Sequence, residues 1–216
     1  MIRTLAVSLS GACAVLGVCL LAGGYPKPNP YPLSWELKFE HGHPRRLLIT
    51  PRGSDQPQAY WYMTFTVTNE GRDDVKFLPV FEMLTEDGRV LRSDDNVPPI
   101  VLETIRLREK SRHLMSITDI AGPLRVGPDQ AKDGVAIWRE PASEMGQFSI
   151  FVKGLSGEAT ILKDEKGQDV TQPGPDGKPA PVVLWKTLAL HYHVAGDDRA
   201  PGHDVCELVG QEWIMR

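Results

Sequence analysis

The chain has 216 residues, 41% hydrophobic and 24% charged, which is the composition of one globular domain large enough to bury its own core. A formal net charge of −4 gives no general electrostatic case for nucleic acid, which calls for a basic surface. Eighteen prolines and twenty glycines break the chain too often for long helices and favour many short elements joined by turns.

Residues 1–24 have the layout of a secretory signal peptide. Arg3 supplies a basic start, residues 5–22 carry no charge, and Ala22-Gly23-Gly24 puts small residues where a signal peptidase cuts, making Tyr25 the first mature residue. The alternative is an uncleaved anchor, because about 18 apolar residues can just span a bilayer. A lipid-accepting cysteine is poorly supplied: Cys19 follows Val18, and Cys13 falls early in the apolar run. Cleavage leaves Cys206 alone, so no disulfide framework exists and stability has to come from the core.

Residues 25–32 contain four prolines and predict an extended spacer that stands the domain off. Residues 33–40 alternate Leu33, Trp35, Leu37 and Phe39 with polar partners, the pattern of a strand with one apolar face. His41-Gly42-His43-Pro44 turns the chain into a short strand at 45–50. The segment around which the fold is organised is 59–69. Its odd positions (Ala59, Trp61, Met63, Phe65, Val67) are apolar and its even ones (Tyr60, Tyr62, Thr64, Thr66, Thr68) carry hydroxyls, so a strand sends them to opposite faces. Asn69-Glu70-Gly71 then turns. Residues 75–84 form the next apolar run, with Pro79 marking a bulge or edge, and Asp87-Gly88 signals a hairpin.

Pro98-Pro99 introduces the one predicted helix, 100–113, with Val101, Leu102 and Ile105 on its apolar face and Arg106, Arg108, Lys110 and Arg112 toward its C-terminal end. Residues 114–120 read as a return to strand. Short strands follow at 135–138, 147–152 and 158–162, then a Gly/Pro-rich charged excursion at 164–181 expected to be exposed, and last strands at 182–194 and 205–215. About nine or ten short strands and one helix predict a mainly β fold, an immunoglobulin-like antiparallel two-sheet sandwich spanning residues 33–216.

Signatures of catalysis are missing: there is no Gly-x-Ser-x-Gly elbow, His-Glu-x-x-His, phosphate loop or dinucleotide fingerprint. Gly154-Leu155-Ser156-Gly157 has the wrong spacing for an elbow and reads as a hairpin turn. Cys206, in an alternating segment, reads as a small buried hydrophobe rather than a nucleophile. His191-Tyr192-His193 projects two imidazoles from one face of a strand, a pair that with His203 as third ligand could hold zinc or copper. The plainer expectation puts both on the solvent face, with Leu190, Tyr192 and Val194 inward. His41 and His43 repeat the spacing in a turn. Asp94-Asp95-Asn96 and Asp197-Asp198 lack the alternating oxygens and glycine of a calcium loop and read as solvated turns. The basic run 106–112 is either a solvated helix face or a contact for an anionic envelope polymer.

Several segments resemble an uncharacterised family of exported proteins abundant in planctomycete bacteria: residues 62–69, Val97-Pro98-Pro99, residues 132–138, residues 151–157 and the terminal Glu212-Trp213-Ile214-Met215-Arg216. The resemblance implies export and a β-sandwich, and carries no catalytic motif. The expectation is an exported domain, periplasmic or extracellular, with no enzymatic activity and a binding or structural role in the cell envelope. Its partner would be a protein or envelope component, with no nucleic acid and membrane contact only through residues 5–22. A metal-binding protein or metalloenzyme at His191 and His193 is the alternative. A third is an accessory subunit docked through residues 164–181.

Overall fold

The computed structural model describes residues 25–50, 55–141, 145–194 and 206–216; the expected signal peptide, His203 and Asp197-Asp198 lie outside them. In chain order the elements are β1 (Lys38–His41), β2 (Arg45–Ile49), β3 (Gln58–Thr68), β4 (Val75–Phe77), β5 (Val80–Thr85), β6 (Val90–Arg92), α1 (Pro99–Arg108), α2 (Ile117–Ile120), β7 (Gly122–Leu124), β8 (Lys132–Arg139), β9 (Gln147–Lys153), β10 (Ala159–Ile161), β11 (Thr171–Pro173), β12 (Pro179–Pro181), β13 (Val183–Val194) and β14 (Cys206–Met215). The fold is mainly β, and every ladder between these strands is antiparallel.

Strand β3 centres the first sheet. β8 pairs along one edge from Tyr60 to Val67, while β1 and β2 share the other in tandem, β1 opposite residues 65–68 and β2 opposite residues 58–62. The second sheet runs β14–β13–β9–β5–β6, with β10 continuing the edge of β13 where β9 stops. The odd side chains of β3 fill the space between the sheets. Phe65 stacks on Phe81 of β5 with centroids 4.8 Å apart, Trp61 packs on Phe148 of β9 at 5.9 Å, and Met63 Sδ lies 3.9 Å from the Tyr192 hydroxyl of β13. The expected antiparallel two-sheet sandwich is thus realised, with this strand order as its finer description.

The hydroxyl-bearing face of β3 is closed to water at its tyrosines. Tyr60 and Tyr62 are buried beneath α1, together with Val135 and Ile137 of β8 and Val101 and Ile105 of the helix. Tyrosine suits such a position because its ring is apolar while its hydroxyl needs only one partner. The Tyr62 hydroxyl donates to Glu109 Oε1 at 2.6 Å, just past the helix, and Arg45 Nη1 donates to the same carboxylate at 2.9 Å. The first sheet is therefore covered on both faces at its Tyr60–Tyr62 end, while Thr64 and Thr66 further along the same face stay partly exposed.

Other expectations are corrected by tertiary contacts. Pro79 does more than bulge a strand, since the run 75–84 breaks at Leu78-Pro79 into β4, which pairs with β7, and β5, which joins the second sheet. Residues 114–120 do not return to strand: Ser116 caps α2, accepting from Asp119 N at 3.1 Å, a Ser-x-x-Asp capping pattern. Gly154–Gly157 is no hairpin turn either, because β9 and β10 lie end to end on the same edge of β13. Gly154, at φ +95°, sits where a Cβ would strike the backbone of Leu78. The predicted strand 33–40 shrinks to β1, and Leu33 is exposed. The excursion 164–181 is exposed as expected, and within it β11 and β12 form a hairpin.

Candidate functional site: the outer face of the second sheet

The second sheet has one face in the core and one facing away from it, and antiparallel register lines up side chains across the latter. Ser149 of β9 and Gly210 of β14 flank His191; Gln147 and Glu207 flank His193. Both imidazoles project from the same face because strand periodicity is two, and Leu190, Tyr192 and Val194 are buried inward as the plainer expectation has it. Between His191 and Tyr192 the ladder with β14 shifts by one residue, leaving Val209 as the extra residue of a bulge, 67% exposed.

These residues line a groove of about 610 Å³, with Leu84, Thr85 and Glu86 along one wall. Its shape is set by the turns beside it. Gly146 takes φ +39° with the Glu86 carboxylate where a Cβ would stand, and Glu86 Oε2 accepts from Gln147 N at 3.1 Å. Ser149 Oγ and His191 Nδ1 are hydrogen-bonded at 2.8 Å, and His191 Nε2 lies 3.5 Å from Glu212 Oε1. His193 Nδ1 is buried and has no hydrogen-bond partner among the described residues. Among the described residues Glu86 and Glu207 line the groove and no lysine or arginine does. The groove therefore offers hydroxyl, amide, imidazole and carboxylate groups.

The histidine pair is thus brought into one groove, while His203 lies outside the described residues. Among the described residues no group of three His, Cys, Asp or Glu side chains is placed to hold a metal ion. His41 and His43 belong elsewhere. His41 stacks on Phe39 with centroids 5.6 Å apart, its Nδ1 is 3.3 Å from the Tyr192 hydroxyl, and burial pushes its pKa below the ordinary histidine value.

Asp94 is a clasp between elements rather than a solvated turn. Its backbone N–H donates to Ile137 O at 2.7 Å, and its carboxylate accepts from Ile117 N at 2.7 Å and Ile137 N at 3.2 Å. It thereby closes the outer edge of β8 and ties it to the start of α2. Burial pushes this carboxyl up to about 6 against the two backbone hydrogen bonds that favour its charged form. The basic run is partly spent on structure as well: Arg106 Nε donates to Leu114 O and Arg108 Nη1 to Arg46 O, both at 2.9 Å. Cys206 is buried in the main core, as expected.

Ser149, Gln147, Glu207 and Glu86 were not singled out from the sequence. Alternation within residues 147–152 does place Gln147 and Ser149 on one face, but only the ladder shows which histidine each one meets. No protein-family model, curated protein or solved structure matches this chain, so the resemblance to the planctomycete family rests on the segments quoted above alone.

Proposed function

We propose that the chain is an exported binding domain of the cell envelope, non-enzymatic, whose ligand-bearing surface is the groove around His191 and His193. One observation carries this reading: four hydrogen-bonding side chains, Gln147, Ser149, His191 and His193, line one groove from two adjacent strands, with Glu207 beside them on a third. Convergent polar groups in a concave site are the usual form of a binding surface. The Ser149–His191 hydrogen bond is the nearest approach to a nucleophile with its base. Ser149 sits mid-strand between β5 and β13, where backbone N–H groups belong to the ladders, which supports a binding role over acyl transfer.

A photo-crosslinker placed at Val209 tests this in the native host. The expected result is an adduct with an envelope component that disappears in His193→Ala; crosslinking no stronger than from Leu107, on the far side of the molecule, would sink the reading.

The buried His193 Nδ1, without a partner among the described residues, favours a second reading, in which the histidine pair takes zinc or copper. Metal content of the purified chain decides it. Stoichiometric metal lost in His191→Ala/His193→Ala supports this reading, and a metal-free chain excludes it.

A further inference from the structure

Residues 25–35 follow the apolar run and read Tyr-Pro-Lys-Pro-Asn-Pro-Tyr-Pro-Leu-Ser-Trp, with one cation and no carboxylate. Three large side chains of this arm lie in solvent, Tyr25 at 54% exposed, Tyr31 at 78% and Leu33 at 71%, and Trp35 keeps 37% of its surface exposed. The arm is nonetheless fastened to the domain. Asn29 N donates to Glu158 Oε1 at 2.8 Å, Gly157 N donates to Trp35 O at 3.0 Å, and the Trp35 indole lies where a Cβ on Gly157 would be. At its end, Glu36 accepts from Lys186 Nζ at 2.7 Å. Lys186 is buried beneath the Trp213 ring, and releasing Glu36 would leave its ammonium with only the more distant Glu158 Oε2, at 3.6 Å. The segment expected to hold the domain at a distance is instead pinned against it.

Pinning shortens the tether. From Ala22, the last residue of the apolar run, to Asn29 is seven residues, a reach of at most about 25 Å. Tyrosine and tryptophan in a segment that carries one cation and no carboxylate of its own suit the level of lipid headgroups, where such rings are enriched. We propose that residues 25–35 form an interfacial belt that lays this end of the sandwich on the surface of the membrane that residues 5–22 enter. The inference rests on the export reading above in its uncleaved-anchor form, with residues 5–22 retained, and names a lipid surface as the partner. Trp185 pairs with Ala159, the residue after Glu158, so the strand distance from this end to His193 is eight residues, or about 26 Å. The groove is then carried clear of the bilayer.

All strands and both core clusters lie between Leu37 and Arg216, so the chain starting at Tyr25 is the folded unit to test. It is floated with vesicles made of equal parts phosphatidylethanolamine and phosphatidylglycerol, and its tryptophan emission is followed with brominated lipid. The expected result is co-flotation with quenching, reduced at least about tenfold by Tyr31→Ser/Leu33→Ser/Trp35→Ser. Tyr31→Ser/Leu33→Ser alone removes two side chains that stand in solvent and should reduce it about threefold with an unchanged unfolding midpoint. Failure of the folded wild type to float overturns the proposal, as does equal flotation of the arm variants. A solution dimer that the arm variants dissociate would also overturn it, assigning the arm to a second copy. His191→Ala/His193→Ala should float like the wild type, which separates this test from that of the groove. A chain that floats in vitro yet fractionates with the cytosol in its host would remove the export reading and leave the lipid contact standing.

Discussion

The two sheets share a core but differ in what covers their outer faces. The first is closed on both sides where α1 lies over Tyr60 and Tyr62 and the second sheet over Trp61, Met63 and Phe65. The second is closed on one side only, and its other face carries half-buried histidines, a bulge and a groove. In β8 the four consecutive residues from Val135 to Trp138 are all buried, whereas His191 and His193 alternate with buried neighbours. Both sheets supply the shared core, but the first also buries side chains on its outer face under α1, whereas the outer face of the second carries polar groups in a groove.

That contrast can be broken most strongly at Trp138, fully buried between the sheets. Trp138→Ala should cost about 3–5 kcal/mol, read as a loss in the urea midpoint, through lost transfer energy and the cavity left behind. Gly134 comes next. It lies opposite Phe65 in the ladder, and a Cβ there would press on the Phe65 ring and on Ile120 Cδ1. Gly134→Ala should cost about 1–3 kcal/mol by overpacking, and an unchanged midpoint would mean that the first sheet is looser than its burial implies.

Asp94 sharpens the comparison through pH. Its folded-state carboxyl is raised to about 6 from an ordinary value of 3.8, so the folded protein holds this proton more tightly than the unfolded chain. Its contribution is fully present below pH 4 and is lost as pH rises through about 6. Asparagine cannot titrate and presents an amide donor to one of the two backbone N–H groups. Asp94→Asn should therefore be less stable than the wild type, with a gap larger at pH 4 than at pH 7; a gap that widens with pH would show that the ionised clasp is the favoured form.

Lys110 offers a gain. It occupies the position after the end of α1 at φ +52°, with Lys110 N donating to Leu107 O and Ser111 N to Arg106 O, a helix stop that favours glycine. Lys110→Gly should stabilise by roughly 1 kcal/mol if the relief of left-handed strain outweighs added chain entropy. The smallest effect is expected on the groove. His191→Ala/His193→Ala should move the midpoint by no more than about 0.5 kcal/mol, because half-exposed residues on an open face support no packing; a larger loss would make the pair part of the scaffold.

Much of this fold was legible from local pattern. Alternation in residues 59–69 located β3 and the face that meets the second sheet, Pro98-Pro99 located α1, and Asp87-Gly88 located the β5–β6 turn, where Gly88 has φ +81°. The short helix α2 had a signal too, the Ser116-x-x-Asp119 cap, which hydrophobic spacing alone did not reveal. Of the site, His191 and His193 stood out because strand periodicity puts them on one face whatever surrounds them.

By itself the sequence determined the period of each strand, hence which side chains travel together, and where glycine and proline interrupt the chain. Those are properties of covalent geometry and neighbouring residues. Only tertiary structure decided that the tyrosine face of β3 lies under a helix, that Ser149 meets His191 while Glu207 meets His193, that Asp94 closes the edge of β8, and that the proline-rich arm is tied down by Glu158 and Lys186. Each depends on partners far along the chain. Which partner is met is set by the register and layering that bury the most apolar surface while leaving few polar groups unpaired.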